Sequence, residues 1–139
     1  MAKDIYHETV KTALIKDGWT ITNDPLSLAV GERTVYVDIG AEKLFAAEKG
    51  NQRIAVEVKS FIRPSPVQDL ENALGQYVLY RGLLEESRQH QDRTLYLAIR
   101  DKVYWDFFPE KIAQIAVRSN QLKLLVFDAT TEEVVQWIE

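Results

Sequence analysis

Apolar and polar positions recur along this chain in two periods, and the changes from one to the other mark out its elements. Ile5, Val10, Ala13 and Leu14 fall at helical spacing, which predicts an amphipathic helix capped by Asp4 and stopped at Gly18. Trp19 to Thr22 reads as a short strand that Asp24-Pro25 breaks. Leu26 to Val30 and Thr34 to Ile39 read as two strands around a turn at Gly31-Glu32-Arg33. Lys43 to Lys49 favours helix by propensity, but Gly50-Asn51 is a two-residue hairpin signal and Arg53 to Phe61 is a clear strand, so a hairpin is expected. With Gly50-Asn51 at its tip, Glu48 would face Arg53, Ala46 would face Ala55, Leu44 would face Glu57, and Glu42 would face Lys59. Alternation then puts Ile54, Val56 and Val58 with Phe45 and Ala47 on a core face, and Ala55, Glu57 and Lys59 on the other.

The second half continues the pattern. Ser65, Pro66 and Gln68 form the start of a long helix, with Val67, Leu70, Leu74, Tyr77, Val78 and Leu84 on its buried side. Thr94 to Arg100 reads as a strand, Pro109 to Val117 as a shorter helix, and Leu122 to Phe127 and Val134 to Ile138 as closing strands. No repeat, low-complexity tract or linker interrupts them, so a single α/β domain over residues 1–139 is expected.

Composition narrows the chemistry. At 46% hydrophobic and 27% charged residues the chain is an ordinary globular protein, long enough to bury a core. The absence of cysteine excludes disulfides, zinc–thiolate sites and thiol catalysis. Met1 to Lys11 has no apolar signal core and no run is long enough to span a bilayer, so a cytoplasmic protein with no membrane segment is expected. A net charge of −4 counts against a strong, nonspecific nucleic-acid binder, so contact with DNA would have to be local, metal-mediated or shared with a partner.

Glu57-Val58-Lys59 is the feature that could carry chemistry. An acid-x-Lys triplet occurs about once by chance in such a composition, but here it interrupts an apolar strand and sets both charges on one face. Charges so placed are costly unless paired or bound to a metal; an in-strand ion pair at a sheet edge is the plain alternative. Asp38 and Glu42 share the strand parity of Glu57, and carboxylates are what a hard divalent cation needs. Such a cation polarises a phosphate and generates a nucleophile, and a neighbouring lysine stabilises the developing charge. Glu42 is the nearer acid in the expected register. Asp38 would lie roughly 13 Å away unless the chain bends at Gly40. Gln76 and Tyr80 sit one helical turn apart, and Gly75 beside them fits a helix approaching the sheet closely. His7 and Glu8 could reach the mouth of such a site, although a solvated helix face weighs more. His90 has no assigned role. Arg63, Arg81, Arg88 and Arg93 are equally phosphate contacts or a dispersed solubilising surface. There is no Walker loop, GxGxxG, HExxH or GxSxG pattern.

Asp38, a hairpin, Glu57-Val58-Lys59 on a strand and Gln76 to Tyr80 on the next helix together resemble the PD-(D/E)xK nuclease superfamily. The resemblance implies a restriction-endonuclease-like fold, a mixed central β-sheet flanked by helices, and magnesium-dependent hydrolysis, with manganese as a substitute. It implies that Glu57 and Asp38 hold the metal, that Lys59 stabilises the transition state and that Gln76 supports them. The long gap before Glu57, and Val37 where the superfamily has proline, bring Glu42 forward as an alternative first acid and metal ligand. KDIYHETVKTALIKDGWTIT, DIGAEKLFAAEKG, IAVEVKSF, ALGQYVLY and RTLYLAI are similar to the cyanobacterial XisH family, named fdxN element excision controlling factor proteins. This second resemblance implies programmed excision of a DNA element beside a site-specific recombinase and a small partner, XisI. Two function classes follow. One is a magnesium-dependent endonuclease acting on DNA, including a toxin-like nuclease held in check by its partner. The other is a non-catalytic subunit that docks XisI or the recombinase. A homodimer would suit cleavage of both strands.

Overall fold

Residues 54–58 of the strand that carries Glu57 are buried on both faces, and a strand of that kind belongs in the middle of a sheet. The structure, a computed structural model, describes residues 3–44 and 51–139. In chain order the elements are α1 (His7–Lys16), β1 (Thr20–Asn23), β2 (Leu26–Val30), β3 (Arg33–Val37), β4 (Ile39–Leu44), β5 (Asn51–Val58), α2 (Pro66–Glu86), β6 (Thr94–Arg100), α3 (Asp101–Asp106), α4 (Lys111–Asn120), β7 (Leu124–Asp128) and β8 (Glu133–Ile138). The main sheet has the order β1-β4-β5-β6-β7-β8, and β2 and β3 form a separate two-stranded sheet. Pairs β5–β6 and β6–β7 are parallel; β1–β4, β4–β5 and β7–β8 are antiparallel. The expected mixed central sheet flanked by helices is present.

Two cores sandwich this sheet. On one face Ile54, Val56 and Val58 pack with Val10 and Leu14 of α1, Trp19, Tyr96 and Phe127. On the other Ala55, Leu95, Leu97 and Leu124 pack with Leu70, Ala73 and Tyr77 of α2, Ala113 of α4 and Leu26 and Leu28 of the small hairpin. Tyr77 pins α2 in place: its hydroxyl donates to the Leu95 carbonyl at 2.8 Å and accepts the Lys123 N–H at 3.2 Å. Ser65 caps α2 by accepting the Gln68 N–H at 3.2 Å, with Pro66 at the first helical position. Gly18 ends the first helix with φ +93°, a conformation that favours glycine.

Several expectations are corrected. Ile5 and Val78 are exposed (66% and 42%), so the buried stripes of α1 and α2 are narrower than their periodicity suggested. Gly75 faces open space rather than the sheet: an added Cβ would meet nothing within 4 Å. Helix α3 was not expected; Val103, with Phe107 and Phe108 just after it, buries that segment in the α2-side core. The hairpin register differs most. Glu42 pairs with Arg53, Leu44 with Asn51, Gly40 with Ala55 and Ile39 with Val56. Relative to the expected pairing, β4 is displaced by six residues along β5. Phe45, Ala46, Ala47, Glu48 and the expected Gly50 tip lie outside the described residues.

Candidate functional site

The register decides which acid meets Glu57. Continuing β4–β5 one step past Ile39↔Val56 brings Asp38 opposite Glu57. The two are directly linked. The Asp38 N–H donates to Glu57 Oε1 at 3.3 Å, and the Val58 N–H donates to Asp38 Oδ2 at 2.8 Å. Lys59 follows on the same face, its Nζ 3.6 Å from Glu57 Oε2. Glu42, opposite Arg53, is four residues along the sheet from Glu57, roughly 13 Å. The separation expected for Asp38 therefore belongs to Glu42, and no bend at Gly40 is needed. Gly40 serves another end: a Cβ there would lie 2.8 Å from Asn23 Oδ1 and 3.2 Å from Arg93 Nη1.

Asp38 and Glu57 are only 4% and 5% exposed, and burial governs their ionisation. Burial first, and then the Asp38 carboxylate, pushes Glu57 up to about 8, against the pull of Lys59. Burial also raises Asp38 above the usual carboxylate range, opposed by the Val58 N–H. Two adjacent buried acids with one partly exposed lysine beside them share too little positive charge for both to ionise, so a proton stays with the pair. Helix α2 covers them. Burial raises Tyr80 on α2 as well, and the Glu57 and Asp38 carboxylates add to that shift. Gln76, one turn earlier on the same helix, has a buried Oε1 without a hydrogen-bond partner among the described residues.

These residues fit a hard divalent cation. Among the described residues, Asp38 Oδ1 and Glu57 Oε2 accept no backbone N–H, the donors are all oxygen, and a cation would replace the proton the pair now retains.

The first helix joins this region, which the sequence underweighted. The Asp4 carboxylate accepts the Tyr6 N–H at 2.9 Å through one oxygen and the Ser60 N–H at 3.0 Å through the other, tying the helix start to the chain just past Lys59. His7 is 2% exposed rather than solvated, with Nε2 2.7 Å from Asp24 Oδ1. His7, Glu8 and Asp24 lie close enough to hold a metal, but Lys11 pairs with Asp24 at 2.6 Å and with Glu8 at 3.7 Å, and Lys3 pairs with Glu8 at 3.6 Å. That cluster already has its cations. Nothing in a single-turn helical pattern distinguishes His7 from an exposed histidine; the only signal was its position one turn after the cap.

Of the arginines, Arg93 is structural. It is 7% exposed and donates to the carbonyls of Ile54 at 2.8 Å and Ala41 at 3.3 Å, to Asn23 Oδ1 at 3.0 Å and to Thr22 Oγ1 at 3.3 Å, with Nε on His90 Nδ1 at 3.1 Å. Arg81 donates to the Asn120 carbonyl at 2.6 Å. Arg63 pairs with Asp69 at 2.6 Å and, with Asp4, Lys59 and Asn72, lines a cleft of about 150 Å³ beside the acids.

Known proteins resemble the chain over its whole length. The family model described as XisH protein matches residues 1–135. A crystal structure of an XisH family protein from Nostoc punctiforme PCC 73102 is 42% identical, with a TM-score of 0.86 over 98% of this chain and 100% of that one. A fdxN element excision controlling factor protein from Anabaena variabilis is 43% identical, with a TM-score of 0.87 over 99% of this chain and 100% of that one. No curated protein sequence matches.

Proposed function

This chain belongs to the XisH family, and on that premise we propose that it is a magnesium-dependent endonuclease acting on DNA during excision of a DNA element, with Asp38, Glu57 and Lys59 as its site. One observation carries the reading: two carboxylates held side by side in the interior, linked through backbone N–H groups and flanked by a lysine. A buried acid pair costs stability and persists where function repays it. Magnesium, or manganese in its place, supplies polarisation of the scissile phosphate and an activated water when bound. Asp38 and Glu57 would hold it. Lys59, about a quarter exposed at its side chain, reaches the phosphate and balances the charge that develops on it. Gln76 offers its free Oε1 as an acceptor for a water or a substrate donor. Glu42, displaced along the sheet, leaves Asp38 as the first acid.

The net charge of −4 favours a shared task, with an XisI-type partner and a site-specific recombinase bringing the DNA to the site. That same charge supports a second reading, a non-catalytic subunit that uses this fold to dock those partners.

Magnesium- or manganese-dependent cleavage of plasmid and single-stranded DNA tests the proposal, with and without the partner. Glu57→Ala and Lys59→Ala should each lower the rate by at least about 100-fold while circular dichroism stays that of the wild type. Absence of cleavage by the wild type under every condition, with the partner still bound, would leave the docking reading in its place.

A further inference from the structure

Resting on the nuclease reading for the role of Lys59, we infer that Arg63, held by Asp69, binds the DNA phosphate next to the one that is cleaved. Lys59 and Arg63 line one cleft of about 150 Å³, together with Asp4, Ser60, Asp69 and Asn72. Lys59 Nζ is in turn 3.6 Å from Glu57 Oε2, so the cleft and the acid pair share a residue. The two acids of the cleft are occupied. Asp4 accepts the Tyr6 N–H at 2.9 Å on one oxygen and the Ser60 N–H at 3.0 Å on the other. Asp69 accepts Arg63 Nε at 2.6 Å on one oxygen and the Arg63 N–H at 3.3 Å on the other. Each of the four carboxylate oxygens thus meets an N–H of the protein. The groups left to face a ligand are donors: Nη1 and Nη2 of Arg63, Nζ of Lys59, the Ser60 hydroxyl and the Asn72 amide. A set of donors beside occupied carboxylates suits a phosphate.

The chain bends sharply to make this cleft. Phe61 has φ +53°, a backbone region unfavourable to a bulky side chain. Its ring is anchored in the core, with centroids 5.8 Å from Phe108 and 6.2 Å from Phe107, and that packing holds the turn. Ser60 before it is fixed at both main-chain groups: its N–H donates to Asp4, and its carbonyl accepts from Arg100 Nη2 at 3.1 Å. Past the turn, Arg63 meets Asp69 in the first turn of α2. Asp69 is 7% exposed, whereas the Arg63 side chain is 59% exposed. A buried carboxylate behind an exposed guanidinium fixes the direction of the fork and leaves its Nη groups for a ligand, the geometry that recognises phosphate through two parallel bonds. Asp69 is the positioning residue and Arg63 the contact. An arginine that only solubilises the surface needs no buried partner.

Binding of a fluorescent DNA oligonucleotide, read by anisotropy with calcium in place of magnesium, tests this for the chain alone and with the partner. Arg63→Gln should weaken binding about 5- to 10-fold and flatten the log–log salt dependence by about 1, the share of one phosphate. Arg88→Gln removes the same charge from an exposed position outside the cleft and should change affinity less than about twofold. Arg63→Lys should keep the salt slope and regain only part of the affinity, because lysine has no fork. Asp69→Asn gives a sign. If charge alone matters, removing an acid beside the DNA tightens binding; if Asp69 holds the fork, binding weakens, by about threefold or more. In magnesium, Arg63→Gln should raise KM with kcat within about twofold of the wild type. Arg63 is exposed, so its variants decide the matter whatever Asp69→Asn does to the melting temperature. Equal effects of Arg63→Gln and Arg88→Gln, an unchanged salt slope, or tighter binding by a folded Asp69→Asn overturn the inference and leave the nuclease reading standing. A wild type that binds no DNA, alone or with the partner, also overturns it. A wild type that binds DNA through Arg63 and cuts nothing overturns the nuclease reading and leaves the phosphate contact.

Discussion

Glu57 keeps a proton that most glutamates have lost at neutral pH, and this has a measurable consequence for the metal-free protein. Its ordinary value of 4.5 is raised to about 8, so between those values the folded chain holds more protons than the unfolded one. Stability from this residue is therefore full below about pH 4.5 and is lost as pH rises through about 8. Glu57→Gln, neutral at every pH, should melt increasingly above the wild type as pH rises across that window. A difference in melting temperature that stays flat with pH would show that Glu57 is not buried in this way. Magnesium should stabilise the wild type most at the alkaline end, where no proton competes for the carboxylates, and its binding below that end should release protons measurable by calorimetry in buffers of different ionisation heat. At this scale Glu57 and Lys59 were legible as charges in an apolar strand. Asp38 and His7 were not separable from their alternatives, because neither carries a local mark of the residues it will meet.

The hairpin of β4 and β5 explains why the face on which Glu57 and Lys59 lie was read correctly while the register was not. The expected register and the observed one differ by six residues, an even number, and side chains in a strand repeat every two. Every residue therefore stays on its assigned face, and Glu57 and Lys59 look toward α2 with Asp38 in either register. What holds the observed register is non-local. Arg93, from the segment before β6, donates into the carbonyls of Ala41 and Ile54, and Gly40 leaves the room that Asn23 and Arg93 fill. Gly40→Ala should cost about 1–3 kcal/mol, read as a lower urea midpoint. Gly75→Ala should do the opposite. Its position on α2 is open, so alanine should add about 1 kcal/mol and raise the melting temperature by a few degrees. Destabilisation by Gly75→Ala would mean that something packs closely against that face of α2.

Across the whole molecule, acidic charge constrains how nucleic acid can be held. At −4 the chain carries more acids than cations, and Arg63, Arg81 and Arg93 are already engaged with the protein itself. Binding to DNA by the isolated chain should therefore be weak without a divalent cation. It should strengthen with calcium, which occupies oxygen sites, and fall only shallowly with salt, with a log–log slope of about −1 to −3. Fluorescence anisotropy against ionic strength measures this; a steep slope would reveal a basic surface made by a second copy. No helix among the described residues is long and apolar enough to cross a membrane.

The sequence by itself determined the order of the elements apart from α3, the cap of α2, the apolar face that Ile54, Val56 and Val58 give β5, and the face of that strand on which Glu57 and Lys59 lie. These are local properties, set by periods of 2 and 3.6 and by turn and cap chemistry within a few residues. The tertiary structure alone decided that Asp38 rather than Glu42 stands opposite Glu57, that His7 is buried against Asp24, and that Gly75 faces outward. Each of these depends on which distant segment arrives alongside, and a pairing between strands or helices leaves no trace in the spacing of one segment alone.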